Sequence, residues 1–325
     1  VLKRDPILLA VVAAELALFT ALSGREFGSA AEFFAYFRIY FSDLLVHCAP
    51  ILLLAFGMTI VLITAGIDLS VASMAALIAC VMSSFGGGAD FWWKAIPAGL
   101  AVGLAAGALN GFLIARLDVP PIIATLGTMI FYRGLCFVIM GDLEKSPFLE
   151  VAGYDFFRRF SGISVIIGLV YILGGFYFSN STWWRELLMT GGNRIAARYA
   201  GIRVERRLLQ VYCLVGLLAF LAALCFTSRD GSVIASSLTG LELHVIVAVV
   251  LGGTRVEGGR GSLIGTIFGV LFIAILDEGL RGAAIWGARN LPFKISHLEY
   301  VLLGILLVFG VWLNNLLSSK ERRDS

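Results

Sequence analysis

The chain has 325 residues, a formal net charge of +3, 59% hydrophobic residues and 14% charged ones, and a mean hydropathy of +0.92. Soluble domains carry roughly 45–50% apolar and about 25% charged residues, so a water-surrounded globule is excluded. The small charge is spread over loops and ends without a basic stripe, so nucleic acid is not an expected partner and the lipid bilayer is.

Apolar runs of about 20 residues, each enough for a ~30 Å hydrocarbon core, recur without strand alternation. They predict an all-α, polytopic membrane protein of about ten transmembrane helices. The expected spans are Pro6–Leu22, Leu44–Thr64, Leu69–Phe85, Ala95–Leu117, Pro121–Met140, Gly162–Phe178, Leu208–Thr227, Leu243–Leu251, Ser262–Leu280 and Leu298–Asn315. The first follows Lys3 and Arg4 in the manner of a signal peptide. The next residues (SGREFGSA) make a poor cleavage site, so it is read as a retained helix. Ala31–Phe41 (AEFFAYFRIYF) is aromatic but too polar to span, and is expected to lie in the outer membrane interface as an aromatic anchor. No linker or low-complexity run divides the chain, so residues 1–325 read as one transmembrane domain. The balance of Lys and Arg puts both termini in the cytoplasm together with a central loop at about 180–207, which holds six Arg between Phe178 and Leu208.

Cys48, Cys80, Cys136, Cys213 and Cys225 lie within apolar segments with no CxxC pair, as small packing residues do. His47, His244 and His297 lack metal-ligand spacing, so neither a metal nor a cofactor is expected. No GxxxxGK[ST] motif and no legible Ser/His/Asp, HExxH or paired-carboxylate set occurs, so the chain is not expected to be an enzyme.

Four stretches stand out. In Gly57–Ser73 (GMTIVLITAGIDLSVAS) one helix ends at Ala65-Gly66 and another opens at Asp68 and Ser70. Gly66 tolerates the angles of a break, and Asp68 or Ser70 can cap the next helix. The same break would offer Asp68 and Ser70 to a solute pathway, and the two roles are compatible. In Leu109–Gly134, Asn110, Thr125 and Arg133 lie in apolar surroundings, and Arg133 is the only Lys or Arg well inside a span. A charge there costs about 2.5–3.5 kcal/mol on insertion scales, so Arg133 reads as a clamp between helices or as a pathway group.

Thr190–Arg207 (TGGNRIAARYAGIRVERR) is a short Arg-rich segment between two apolar helices. Ile195, Tyr199 and Ile202 fall at i, i+4 and i+7 on one helical face, Arg194 and Arg198 fall opposite, and Gly201 ends the helix. Such a hook has little purpose unless another subunit grips it. Finally, Glu242–Gly261 (ELHVIVAVVLGGTRVEGGRG) places Gly252, Gly253, Gly258, Gly259 and Gly261 where helices approach and the backbone turns.

In this order the stretches GIDLSV, NG with VPP, IATLG and RG, GGN with AA and GI, and AVVLGG with GGRG closely resemble the permease subunits of bacterial ABC importers for monosaccharides. That group includes the ribose, xylose, galactose, rhamnose and autoinducer-2 systems, and the resemblance runs from about Leu44 to Leu280. It implies a bacterial inner-membrane protein paired with a second permease copy, identical or a paralogue, an ABC ATPase subunit and a periplasmic sugar-binding protein. It also implies that Gly191–Arg203 is a coupling helix, with Gly192, Asn193, Ala196, Ala197, Tyr199, Gly201 and Ile202 at the ATPase contact. Ile195 departs from the family's usual acidic residue, Ala72 and Asp142 from glycines, and His244 from an aspartate. The expected function is passage of a monosaccharide or similar small polyol between two permease copies, along a path lined by Asp68, Ser70, Asn110, Thr125 and Arg133. The alternative is an ion-coupled secondary sugar transporter, for which Asp68 and Asp277 are thin support.

Overall fold

The computed structural model describes residues 9–14, 28–88, 91–141, 143–286 and 301–312. Most of the expected span Pro6–Leu22 and the ends of Leu298–Asn315 lie outside the described residues, as do Lys3, Arg4, Asp142, His297, Lys320, Arg322 and Arg323. The described chain is helical: α1 Ala30–Ile63, α2 Val71–Ser83, α3 Phe91–Ala115, α4 Pro121–Met140, α5 Phe160–Asn180, α6 Thr182–Gly192, α7 Arg194–Tyr199, α8 Val204–Asp230, α9 Leu241–Leu251, α10 Leu263–Trp286 and α11 Val301–Trp312. Among the described residues, five helices are long and apolar enough to cross a membrane: α1, α3, α4, α8 and the Leu263–Leu280 part of α10. The pair α5 and α6, bent by 79° at a short break, would make a sixth.

Two expectations are corrected here. Ala31–Phe41 is continuous with the expected span Leu44–Thr64, because α1 runs unbroken for 34 residues through it and into the apolar run. At 1.5 Å per residue that is about 51 Å, well beyond a ~30 Å core. The start is secured by Ser29, whose Oγ accepts from Glu32 N–H (3.3 Å), while Glu32 reaches back to Gly28 N–H (3.0 Å). No glycine or proline lies between Phe41 and Leu44 to stop the helix, and Phe33, Phe37 and Phe41 stack at successive turns. The third expected span is also shorter than Leu69–Phe85. α2 has 13 residues, about 20 Å, so it crosses only part of a bilayer.

The second half of α1 is the axis of the bundle: from Leu52 to Ile63 every residue is buried. α8, α10, α5 and α9 surround it, and Thr59 on α1 is hydrogen-bonded to Thr266 on α10 (2.7 Å). The tightest contact is between α3 and α8. Gly99, Gly103, Gly107 and Gly111 recur every fourth residue on α3 and so share a face. A side chain at Gly107 would put its Cβ 2.3 Å from the Tyr212 carbonyl oxygen, and one at Gly216 would put it 2.0 Å from the Gly103 carbonyl oxygen. The two backbones touch, which is how helices gain van der Waals contact where lipid supplies no hydrophobic drive.

The outward faces are apolar. Ile123, Ile130 and Val138 on α4 and Ile172 and Phe176 on α5 are all more than 60% exposed. On a soluble protein this would be an aggregating surface; in lipid it is the solvated face. At one end of the bundle, Phe91, Phe148, Tyr154 and Phe157 form an aromatic cap, held by a Tyr154–Thr227 hydroxyl contact of 2.6 Å.

Gly216→Val forces the α3 and α8 backbones apart. We expect it to cost about 3 kcal/mol, read as a fall of roughly 6–10 °C in the thermal midpoint of the detergent-solubilised protein.

Candidate functional site

The end of α1 shapes the site. Ala65 N–H bonds to Leu62 C=O (2.9 Å) and Gly66 N–H to Val61 C=O (3.1 Å), the paired pattern of a Schellman turn. Its left-handed position is normally glycine but is taken here by Ala65, at φ +58°. A left-handed non-glycine residue costs about 1–2 kcal/mol, so this turn holds strain. Thr64 adds both its N–H (3.0 Å) and its hydroxyl (2.8 Å) to the same Val61 carbonyl, which therefore receives three donors on two lone pairs.

Asp68 follows at once. Its Oδ1 accepts from Ser70 N–H (2.8 Å) and Ser70 Oγ (2.6 Å), and so closes the turn that launches α2. Asn110 on α3 donates to Ser70 Oγ at 2.8 Å and reaches Asp68 Oδ2 at 3.5 Å. Tyr132 on α4 donates to the Ala106 carbonyl (2.9 Å), and its hydroxyl lies 3.4 Å from Asn110 Oδ1. Thr125 lies within 3.0 Å of the Ile67 carbonyl, so α4 is also tied to the break. Asp68, Ser70, Asn110 and Thr125 are each 0% exposed. A buried carboxylate survives only when hydrogen-bonded, and the break supplies those donors.

Of the residues expected along the pathway, Asp68, Ser70 and Asn110 form one side-chain network, and Thr125 joins it through the Ile67 backbone. Arg133 is elsewhere. It lies eight residues beyond Thr125 on α4, about 12 Å along the axis, and its Nη1 donates to the carbonyls of Ala235 (2.7 Å) and Ser237 (2.8 Å). It clamps the 231–240 loop, whose Leu238 is left-handed at φ +61°. Tyr132 was missed, because a tyrosine in an apolar run reads as core. The available signal was its hydroxyl, which at mid-span must find a partner.

The Arg-rich segment forms α6, a one-residue corner at Asn193, and α7. The Asn193 side chain caps α7 by accepting from the N–H groups of Ile195 and Ala196, both at 3.0 Å. Ile195 and Tyr199 project outward, 66% and 89% exposed, while Ala197 is buried. One expectation fails: Ile202 does not share the outward face but packs on the core. α7 ends at Tyr199, and Gly201 at φ +83° reverses the chain, so a helical i+7 relation no longer applies. Arg198 pairs with Glu205 on α8 (2.7 Å), and Arg207 with Glu186 on α6.

The inner end of this segment presses on the broken helix. A Cβ at Gly191 would lie 1.7 Å from the Ile63 carbonyl oxygen, and Gly259 N–H donates to that oxygen at 2.9 Å. A Cβ at Gly258 would meet Ala65 Cβ at 2.8 Å, and one at Gly261 would meet Ile63 Cδ1 at 2.7 Å. Gly192 packs against Gly259, whereas Gly252 approaches Gly265 on α10. Gly253 turns the chain at φ +91° after α9. Three segments thus meet at one knot: the Schellman turn, the α6–α7 corner and the glycine loop 252–261. Two buried hydroxyls beside it, Thr190 Oγ1 and Tyr212 Oη, have no hydrogen-bond partner. Among the described residues no group of three His, Cys, Asp or Glu side chains could hold a metal ion.

Residues 40–311 match the family model described as "Branched-chain amino acid transport system / permease component". The chain is 35% identical over 270 residues to "Ribose import permease protein RbsC" of Escherichia coli (strain K12), covering 81% of each chain. It is 35% identical over 267 residues to the Bacillus subtilis (strain 168) protein of the same name, covering 81% of this chain and 80% of that one. It is 33% identical over 250 residues to "Autoinducer 2 import system permease protein LsrC" of Photorhabdus luminescens, covering 75% of each. No solved structure matches the chain.

Asn110→Ala leaves the Ser70 hydroxyl and the Asp68 carboxylate short of a donor. We expect a loss of about 1–3 kcal/mol, seen as a lower thermal midpoint, with Asn110→Asp worse because it sets a second carboxylate against the first.

Proposed function

This chain belongs to the branched-chain amino acid transport system / permease component family and is the permease subunit of an ATP-binding-cassette importer, and we propose that its cargo is a monosaccharide or a similar small polyol. The reading of the cargo rests on relatives named for import of ribose and of autoinducer 2, which align over three quarters or more of this chain. We further propose an assembly of this subunit with a second permease copy, an ABC ATPase subunit and a periplasmic sugar-binding protein. In that assembly each permease has about ten membrane helices and both termini in the cytoplasm, with α6 and α7 on the cytoplasmic side where their arginines favour the inner face.

The observation that carries the coupling role is α7. It is a six-residue helix with Ile195 and Tyr199 projecting from a surface otherwise rich in arginine. Exposed apolar side chains on a polar loop outside the hydrocarbon gain by insertion into a protein groove, and the ATPase is the partner whose work must enter this subunit. Gly192, Asn193, Ala196, Ala197, Gly201 and Ile202 then serve by fixing the shape of the hook, since Ala197 is buried and Ile202 packs on the core.

For the pathway, Asp68, Ser70, Asn110 and Thr125 are covered within the single chain. They act on it by fixing where α2 begins, and Arg133 by fixing the 231–240 loop. Alternating access is the movement of these braced helices as the hook is displaced. The cargo path needs only weak polar contacts, because affinity resides in the binding protein.

Tyr199→Asp puts a charge where an apolar anchor is needed. ATP-driven sugar uptake should fall at least tenfold while the protein still reaches the membrane; undiminished uptake in this variant would remove α7 from the coupling role. Uptake that collapses with a proton uncoupler yet survives ATP depletion would overturn the importer assignment.

A further inference from the structure

The Schellman turn at the end of α1 is over-supplied with donors on one side and starved of acceptors on the other. The Val61 carbonyl is met by Thr64 N–H, Thr64 Oγ1 and Gly66 N–H. The Tyr212 hydroxyl is wholly buried and bonded to nothing. The two face the same small space: a Cβ built on Gly66 would lie 2.9 Å from Tyr212 Oη and 3.4 Å from Val61 O. Gly66 N–H, set in place by the left-handed Ala65, is one of the three donors on that carbonyl. An unsatisfied buried hydroxyl and a left-handed alanine are both unfavourable. A turn that releases Ala65 and puts the Tyr212 hydroxyl in place of Gly66 N–H would relieve the alanine and pass the missing partner from the hydroxyl to the Gly66 amide.

We propose that Tyr212 is a positioning residue for transport, the latch of a two-state turn. In the second state Ala65 leaves the left-handed region, Gly66 N–H separates from Val61 C=O, and the Tyr212 hydroxyl donates to that carbonyl. The hook is the trigger, because Gly191 and Gly259 close directly on the Ile63 carbonyl and Gly258 on Ala65, so moving the α6–α7 corner displaces the turn itself. Asp68, two residues beyond Gly66, then moves with the start of α2. The Thr190 hydroxyl, also buried and unbonded, lies on the same corner beside Gly191. This inference rests on the ABC-permease reading and adds to it a specific pair of atoms that exchange partners.

The test uses the reconstituted permease–ATPase complex, with two readouts that need no knowledge of the cargo. The first is thermal stability without nucleotide. Tyr212→Phe removes an unsatisfied hydroxyl and should raise the midpoint by about 2–4 °C, whereas Tyr154→Phe, which loses a bonded hydroxyl, should lower it. The second is amide hydrogen exchange over residues 61–68, compared between the nucleotide-free complex and one trapped with ATP and vanadate. In the wild type the Gly66 amide should lose protection at least tenfold on trapping; in Tyr212→Phe that loss should shrink several-fold. Thr190→Val reports whether the second hydroxyl shares the exchange. A variant that is destabilised without nucleotide, or that responds to trapping as the wild type does, overturns the latch while leaving the permease reading intact. A wild-type complex whose exchange ignores the nucleotide sinks the latch and the proposed coupling route together.

Discussion

A helix that stops inside a membrane protein must find partners for the carbonyls it leaves behind, and the helix that starts next must find partners for its N–H groups. Nearly everything at the centre of this chain answers that demand. The end of α1 turns its own amides back on Val61 and Leu62 and takes one more from the glycine loop at Ile63. The start of α2 is supplied by the Asp68 carboxylate, which is itself steadied by Ser70 and Asn110. Polar groups that look like transport chemistry in the sequence are, in the fold, the means by which a break can exist away from water. Function enters because at this break helix ends, rather than helix sides, meet within the bundle.

Glycine determines how closely these parts approach. On α3 a glycine every fourth residue lets α8 lie backbone against backbone. At the knot Gly191 and Gly259 bring the α6–α7 corner and the 252–261 loop onto the Ile63 carbonyl backbone against backbone, while Gly258 and Gly261 leave room for the Ala65 and Ile63 side chains. Contacts of this kind are stiff, because no rotamer can absorb a displacement. A push on the exposed hook therefore reaches Ile63 and Ala65 through backbone rather than through a compliant side-chain layer. In the coupling we propose, a push applied at Ile195 and Tyr199 arrives at the turn before Asp68.

The two ends of the bundle differ in kind. The aromatic cap around Phe91, Phe148 and Tyr154 has its hydroxyls bonded and its rings in edge or stacked contact, and Arg133 ties down the adjoining 231–240 loop. The knot end carries a strained alanine and two unbonded hydroxyls. The unbonded hydroxyls lie at the knot, whereas left-handed non-glycine residues occur at both ends, Ala65 at the knot and Leu238 in the 231–240 loop.

From sequence alone the class of the molecule followed with little freedom, because hydropathy and the length of apolar runs depend on the solvent and not on packing. The break at Ala65-Gly66, the turn at Asp68 and Ser70, and the hook at Asn193–Gly201 were legible because each has a local signature in turn or capping chemistry, whereas the approach of Asn110 and Thr125 to that break was not. What could not be read was anything decided by distance between remote segments. Arg133 stood equally as clamp or pathway group until Ala235 and Ser237, a hundred residues away, were seen to present their carbonyls. Ala31–Phe41 read as an interfacial anchor because local polarity cannot say whether a helix continues. Ile202 shared a helical face on paper and not in space, since one glycine at positive φ changed the direction of the chain. Tyr132 and Tyr212 are indistinguishable as letters in an apolar run. Only the tertiary structure bonds one hydroxyl and leaves the other without a partner, because hydrogen bonds are made within about 3 Å and a sequence carries no distances.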